Sequence, residues 1–300
     1  MSISNQNKAY FFAATAIFFW STIATAFKLS LEYLEPVQLV FYATMFSVLA
    51  LFFILLFQGK LKLIRRFTME GLLRCALLAI LNPCLYYIIL LKAYDILPAQ
   101  EAMAINYSWV VMMVILSIPI LKQKIGIKAF LSIIISYIGV IVIATNGDLL
   151  SLQFDNPKGV IYALITTVIW ALFWLFNTKH KNDTVVSLFL IFLFSLPFIA
   201  FAVLFSSTFV IPSMNGFIGA AYVGLFEMGI TFVVWQLALR MTSSVAKVTS
   251  LVFITPFMSL LIIQLFLREV ILTSTVVGIV LIIFGLLLQK FFTKRNTKLS

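Results

Sequence analysis

Long, almost uncharged apolar stretches recur along this chain, and that recurrence limits what it can fold into. Ten of them fall at approximately 9–28, 37–57, 71–91, 98–120, 127–146, 158–178, 185–206, 215–239, 245–267 and 273–292. Each is about long enough to cross a hydrocarbon core of roughly 30 Å as a helix. Of the 300 residues, 63% are hydrophobic and 10% charged, which is more apolar surface than a soluble domain of this size can bury. The expected fold is therefore an all-α integral membrane protein with ten transmembrane helices. Lys8, an apolar run and Ala24-Thr25-Ala26 have the outline of a cleavable signal peptide. The length of the run and its Trp20-Ser21-Thr22 argue instead for a retained span.

The net charge of +11 does not point to nucleic acid, because the bases lie in short connections between apolar spans. Seventeen Lys and Arg fall on one side of a ten-span layout, including Lys60, Arg65, Arg66 and Lys181, and four (Lys28, Lys92, Lys158, Arg268) on the other. Basic residues stay in the cytoplasm, so both termini are expected there. Cys75 and Cys84 sit on one apolar span and form no disulfide framework. His180 is the lone histidine, so neither a metal nor a cofactor is expected.

Polar and aromatic groups inside spans need protein or a water-filled cavity around them. The fourth stretch carries Glu101, Asn106, Tyr107 and Trp109. On a helix Asn106 and Trp109 share a face, whereas Tyr107 and Trp109 do not. The third carries Asn82-Pro83, whose proline frees a backbone carbonyl near mid-bilayer, followed by Tyr86 and Tyr87. Trp170 and Trp174 share a face of the sixth span, although Trp174 also suits an interfacial belt. Trp20 in the first span answers Trp170, and Trp235 lies in the eighth. Glu227 sits halfway along the eighth span, where an acid costs about 2.5–3.5 kcal/mol; it suits a substrate ammonium, a coupling proton or a local partner. Glu101 reads as a gate or as a solvated helix start, Glu269 as structural, and Lys179, His180 and Lys181 as an orienting cluster. Pro119, Pro197 and Pro256 are expected to bend helices. Ser132, Ser136 and Gly139, with Gly278 and Gly285, form small-residue faces suited to packing within a monomer or in a homodimer.

The chain also repeats. A shift of 146 residues lays Leu121-Lys122 on Leu267-Arg268 and Val110 on Pro256. Five spans per half, an odd number, would insert the halves with opposite orientation, the arrangement that lets a carrier alternate its access. On Phe19-Trp20-Ser21-Thr22, Thr255-Pro256 and Leu267-Arg268-Glu269, which looks like a Leu-Gly-Glu motif, the chain resembles the drug/metabolite transporter superfamily, whose unit is the five-helix EamA domain. That resemblance implies two inverted repeats, 9–146 and 157–292. Glu101-x4-Asn106-Tyr107-x-Trp109, Trp170, Asn177-Thr178-Lys179 and Trp235-Gln236 are similar to the aromatic amino acid exporter branch. The chain departs from that pattern at Val110, where proline is expected, at Leu121-Lys122-Gln123, and in lacking an arginine in Phe41-Tyr42-Ala43.

The reading is a secondary carrier, not an enzyme. It would export amino acids or similar metabolites by alternating access across a bacterial-type inner membrane. Its partners are a small solute and the lipid bilayer, and proton coupling is left open. A carrier of drugs, sugars or nucleotide sugars is the alternative. A membrane sensor or a membrane enzyme is more distant, since no acid pair stands at catalytic spacing.

Overall fold

The computed structural model describes residues 3–122, 126–148, 154–177, 182–242, 248 and 251–296. Among them every regular element is helical, as hydrocarbon requires of a backbone that cannot hydrogen-bond to its solvent. The helices are α1 (Ile3–Leu31), α2 (Pro36–Phe57), α3 (Met69–Ala79), α4 (Tyr86–Ile96), α5 (Ala99–Asn106), α6 (Trp109–Leu121), α7 (Ile127–Ala144), α8 (Pro157–Asn177), α9 (Thr184–Ser206), α10 (Met214–Val223), α11 (Ile230–Met241), α12 (Thr255–Leu267) and α13 (Thr273–Asn296).

Joined across their breaks, these give eight helices long and apolar enough to span a membrane. Two shorter apolar helices, Phe130–Ala144 and Leu251–Leu267, stand where the fifth and ninth spans were expected. Helix starts follow local chemistry. Thr68, Asp183 and Ser213 accept from amides of the first turn, and Pro36 opens α2 where an amide hydrogen would lack a partner anyway. Pro256 likewise falls in the first turn of α12, so it starts a helix instead of bending one. Pro119 and Pro197 lie inside continuous helices.

The breaks lie elsewhere. A π-helical turn, Ile80–Leu85, separates α3 from α4, with Asn82 extended at φ −144°, ψ 126°. A second, Gly224–Gly229, separates α10 from α11 and carries Glu227. α5 gives way to α6 at Tyr107-Ser108, and the 3-10 turn Leu251–Ile254 precedes α12. The broken elements are thus the same in both halves. α6 and α12 start and end at positions 146 apart, and each closes on a left-handed residue, Lys122 (φ 55°) and Arg268 (φ 56°).

α7 and α13 pack on each other through the small-residue faces. A Cβ at Gly278 would lie 2.6 Å from the Gly139 carbonyl oxygen, and one at Gly285 would lie 2.5 Å from that of Ser132. The Ser136 hydroxyl donates to Ile282 O at 3.1 Å. These contacts exchange with one another when 146 is added or subtracted, as a local two-fold axis demands. The small faces therefore serve packing inside the chain.

Candidate functional site

The breaks bring the polar middle of the chain together. Glu227, on the π turn of the second half, is 9% exposed, and its Oε1 accepts from the hydroxyl of Tyr87 in the first half at 3.0 Å. The Tyr87 side chain is fully buried. Next to it, Tyr86 donates to Asn106 Oδ1 at 3.3 Å, and Asn106 Nδ2 donates to Thr166 Oγ1 at 2.9 Å. This chain of bonds links α4, α5, α8 and the second π turn, so no partner is local in sequence.

Aromatic rings close around these bonds with Trp170 at the centre. Tyr86 stacks on it at 4.4 Å between centroids, and Tyr87, Trp109, Trp174 and Phe232 surround it at 5.9–6.4 Å. Each well-placed pair contributes about 0.5–1.5 kcal/mol beyond the area it buries. Trp174 also meets Phe232 and so belongs to this cluster and not to a belt. Phe232 continues to Trp20 at 6.0 Å, and Trp20 to Trp235 at 5.4 Å. The Trp170–Tyr86 and Trp20–Phe232 pairs hold corresponding places in the two halves. Phe232 was not expected from sequence, although a shift of 146 from Tyr86 points to it. Trp235 packs beside a small separate cluster of Ala13, Ala238 and Val248.

Asn106 and Trp109 do share the chamber side, and Tyr107 turns away to donate to Val252 O at 3.1 Å. Asn82 is 1% exposed. Glu101 is 5% exposed, so it is not a solvated helix-start acid. That duty falls to Glu269 of the other half, whose carboxylate accepts from Ala99 N at 2.8 Å and Gln100 N at 3.2 Å, complementing the positive end of α5. Gln100 in turn donates to Val270 O and accepts from Leu272 N and Thr275 Oγ1. Lys179, His180 and Lys181 lie outside the described residues, as does Thr178. Cys75 and Cys84 are buried free thiols.

The two halves are also tied where α2 leaves and α9 begins. Lys60 Nζ lies 2.8 Å from Asp183 Oδ2. Burial alone would raise the Asp183 carboxyl, but the Lys60 ammonium and the Val185 and Val186 amides outweigh it and hold it below the usual carboxylate range. The chamber is closed, with Trp170 only 7% exposed. Two open spaces lie elsewhere among the described residues. A groove of about 400 Å³ runs along Thr22, Ala26, Ile218, Tyr222, Ile262 and Phe266, and a cavity of about 300 Å³ is lined by Lys28, Glu32, Asp95 and Glu269. No group of three or more His, Cys, Asp or Glu that could hold a metal occurs among the described residues.

A helical membrane protein whose two halves share their breaks and meet around a buried acid has the construction of a solute carrier. The chain matches the model of the EamA-like transporter family twice, over residues 7–145 and 157–289, and it belongs to that family. It is 27% identical over 187 residues to an uncharacterized transporter of Clostridium kluyveri, the match covering 60% of each chain. It is 28% identical over 169 residues to an uncharacterized transporter of Acidianus ambivalens, covering 56% of this chain and 65% of that one. The matched stretches thus span less than two thirds of either relative. A crystal structure superposes with a TM-score of 0.68 over 96% of this chain and 98% of its own, at 18% identity, a likeness of fold alone.

Proposed function

We propose that this transporter is a secondary carrier that exports amino acids, aromatic ones included, or similar small metabolites. The two repeats, 9–146 and 157–292, act as oppositely inserted bundles that rock about the shared chamber. The observation that carries this reading is the joint construction of that chamber: Tyr87 of one half donates to Glu227 of the other, and Tyr86 stacks on Trp170 across the same divide. A carboxylate flanked by flat apolar rings suits a cationic nitrogen on an aromatic or aliphatic body. A sugar phosphate would meet a carboxylate instead of the bases it needs, which disfavours the nucleotide-sugar alternative.

Ten crossings and a bacterial-type inner membrane with both termini cytoplasmic belong to the same reading. The ties between connections support it. Lys60 meets Asp183 and Thr242 meets Gln6, all at ends assigned to the cytoplasm. Glu269 meets Ala99, and Gln38 meets Ser207, at ends assigned to the other face. Reporter fusions after residues 60 and 180 should report the same face.

The test is an export assay in cells loaded with a panel of amino acids. Wild type should lower the internal pool of at least one aromatic amino acid, and Trp109→Ala should not. If nucleotide sugars exchange while every amino acid stays inside, the reading is wrong. Glu227 is the candidate proton carrier, and Glu227→Gln should remove any pH dependence of export. A profile unchanged from wild type would take this acid out of the coupling.

A further inference from the structure

Asn82 is the one described residue with two buried side-chain polar atoms that both lack a partner. It is 1% exposed, and neither its Oδ1 nor its Nδ2 has a hydrogen-bond partner. A buried donor or acceptor left unpaired is destabilising, and more so where hydrocarbon surrounds the protein. Such groups are rare, and each calls for a reason.

The usual structural reasons do not apply. Asn82 sits at the extended point of the first π turn, beside carbonyls that the break releases, yet its amide bonds to none of them. It caps no helix. α2 packs against both π turns, and on α2 Thr44 and Ser47 are fully buried with hydroxyls that also lack partners. Ser47 faces the second turn: a Cβ added at Gly229 would lie 3.6 Å from its Oγ. The second turn carries Glu227, one residue before Met228, the position that a shift of 146 assigns to Asn82. Tyr87, five residues beyond Asn82, donates to that same Glu227.

We infer that Asn82 is a solute-binding residue that works with Glu227 as a two-point clamp for a zwitterion. This deepens the proposed function and rests on it. Glu227 attracts the solute's ammonium and repels its carboxylate. The neutral amide of Asn82 offers a donor, Nδ2, to that carboxylate without adding charge, while Oδ1 accepts a second ammonium hydrogen. The body of the solute lies against the Trp170, Tyr86 and Phe232 rings. The carrier therefore selects molecules with both an ammonium and a neighbouring carboxylate, and it discriminates against analogues lacking either one.

The experiment measures binding of radiolabelled tryptophan, tryptamine and indole-3-propionate to the purified full-length chain in proteoliposomes. Wild type should bind tryptophan at least tenfold tighter than either analogue. Asn82→Ala should bring tryptophan and tryptamine to within about twofold, while tryptophan stays preferred over indole-3-propionate. Glu227→Gln should do the reverse. The thermal midpoint of the solute-free protein should hold or rise in Asn82→Ala, because an unpaired amide has gone. A lowered midpoint with all three affinities reduced alike assigns Asn82 to holding the break and overturns the clamp. An unchanged tryptophan-to-tryptamine ratio overturns it too, and leaves the amino acid reading intact. Failure of wild type to bind tryptophan at all, with no amino acid exported, removes that reading and the clamp together.

Discussion

Arg268 and Lys122 show what a single position can cost. Both close a helix at φ near +55°, where a side chain is strained by about 1–2 kcal/mol and glycine is not. The Leu-Gly-Glu pattern that this chain resembles has glycine at that position, so the departure noted in the sequence is a loss of backbone comfort. Arg268→Gly should raise the thermal midpoint, by an amount corresponding to about 1 kcal/mol; an unchanged or lower midpoint would mean the arginine side chain makes a compensating contact. Trp170 is the opposite case, a residue whose value lies wholly in its neighbours. Trp170→Ala should destabilise the fold by about 3–5 kcal/mol, and Trp170→Phe by much less, read in thermal scans of the detergent-solubilised protein. Trp170, Tyr86, Asn106 and Glu227 were each legible as polar or aromatic groups that a membrane span does not carry idly. Which of them touch was not legible, because Tyr87 and Glu227 lie 140 residues apart.

Among the elements, α7 and α13 pack on each other through their small residues. Their glycines and serines face each other with no room for a Cβ at Gly139 or Gly278. Gly278→Leu should pry the pair apart and lower the midpoint by an amount corresponding to about 1–3 kcal/mol or more. The oligomeric state, followed by light scattering, should stay as in wild type, since the face is already occupied within the chain. From sequence the same glycines could equally have served a dimer, because periodicity marks a face without naming its partner. The interrupted helices were half legible. Pro83 announces the break before α4, but the Gly224–Gly229 turn has no proline. It forms where Gly224 lets the chain lie against the Ala43 carbonyl and where the Thr231 hydroxyl reaches back to Phe226 O.

At the scale of the whole molecule, polar ties join the halves at opposite ends, among them Lys60 with Asp183, and Glu269 with Ala99 and Gln100. Asp183 has its carboxyl held below the ordinary value of about 3.9. Its contribution is therefore complete above that value and fades only as pH falls through the lowered one. Asp183→Asn should increase labelling of a cysteine placed on the chamber wall by a water-soluble maleimide added from the Lys60 end. Glu269→Gln should do the same from the other end. Equal labelling in all three proteins would show that the ties do not hold the chamber shut. The sequence by itself determined the helical membrane class, the paired halves and the residues too polar or too aromatic to face lipid. Those depend on composition and spacing, which hydrocarbon reads one segment at a time. Only the tertiary structure decided that Trp170 is the centre, that Glu227 answers Tyr87, that Glu269 caps a helix of the other half and that Asn82 is left without a partner, because each of these is a meeting of residues far apart along the chain.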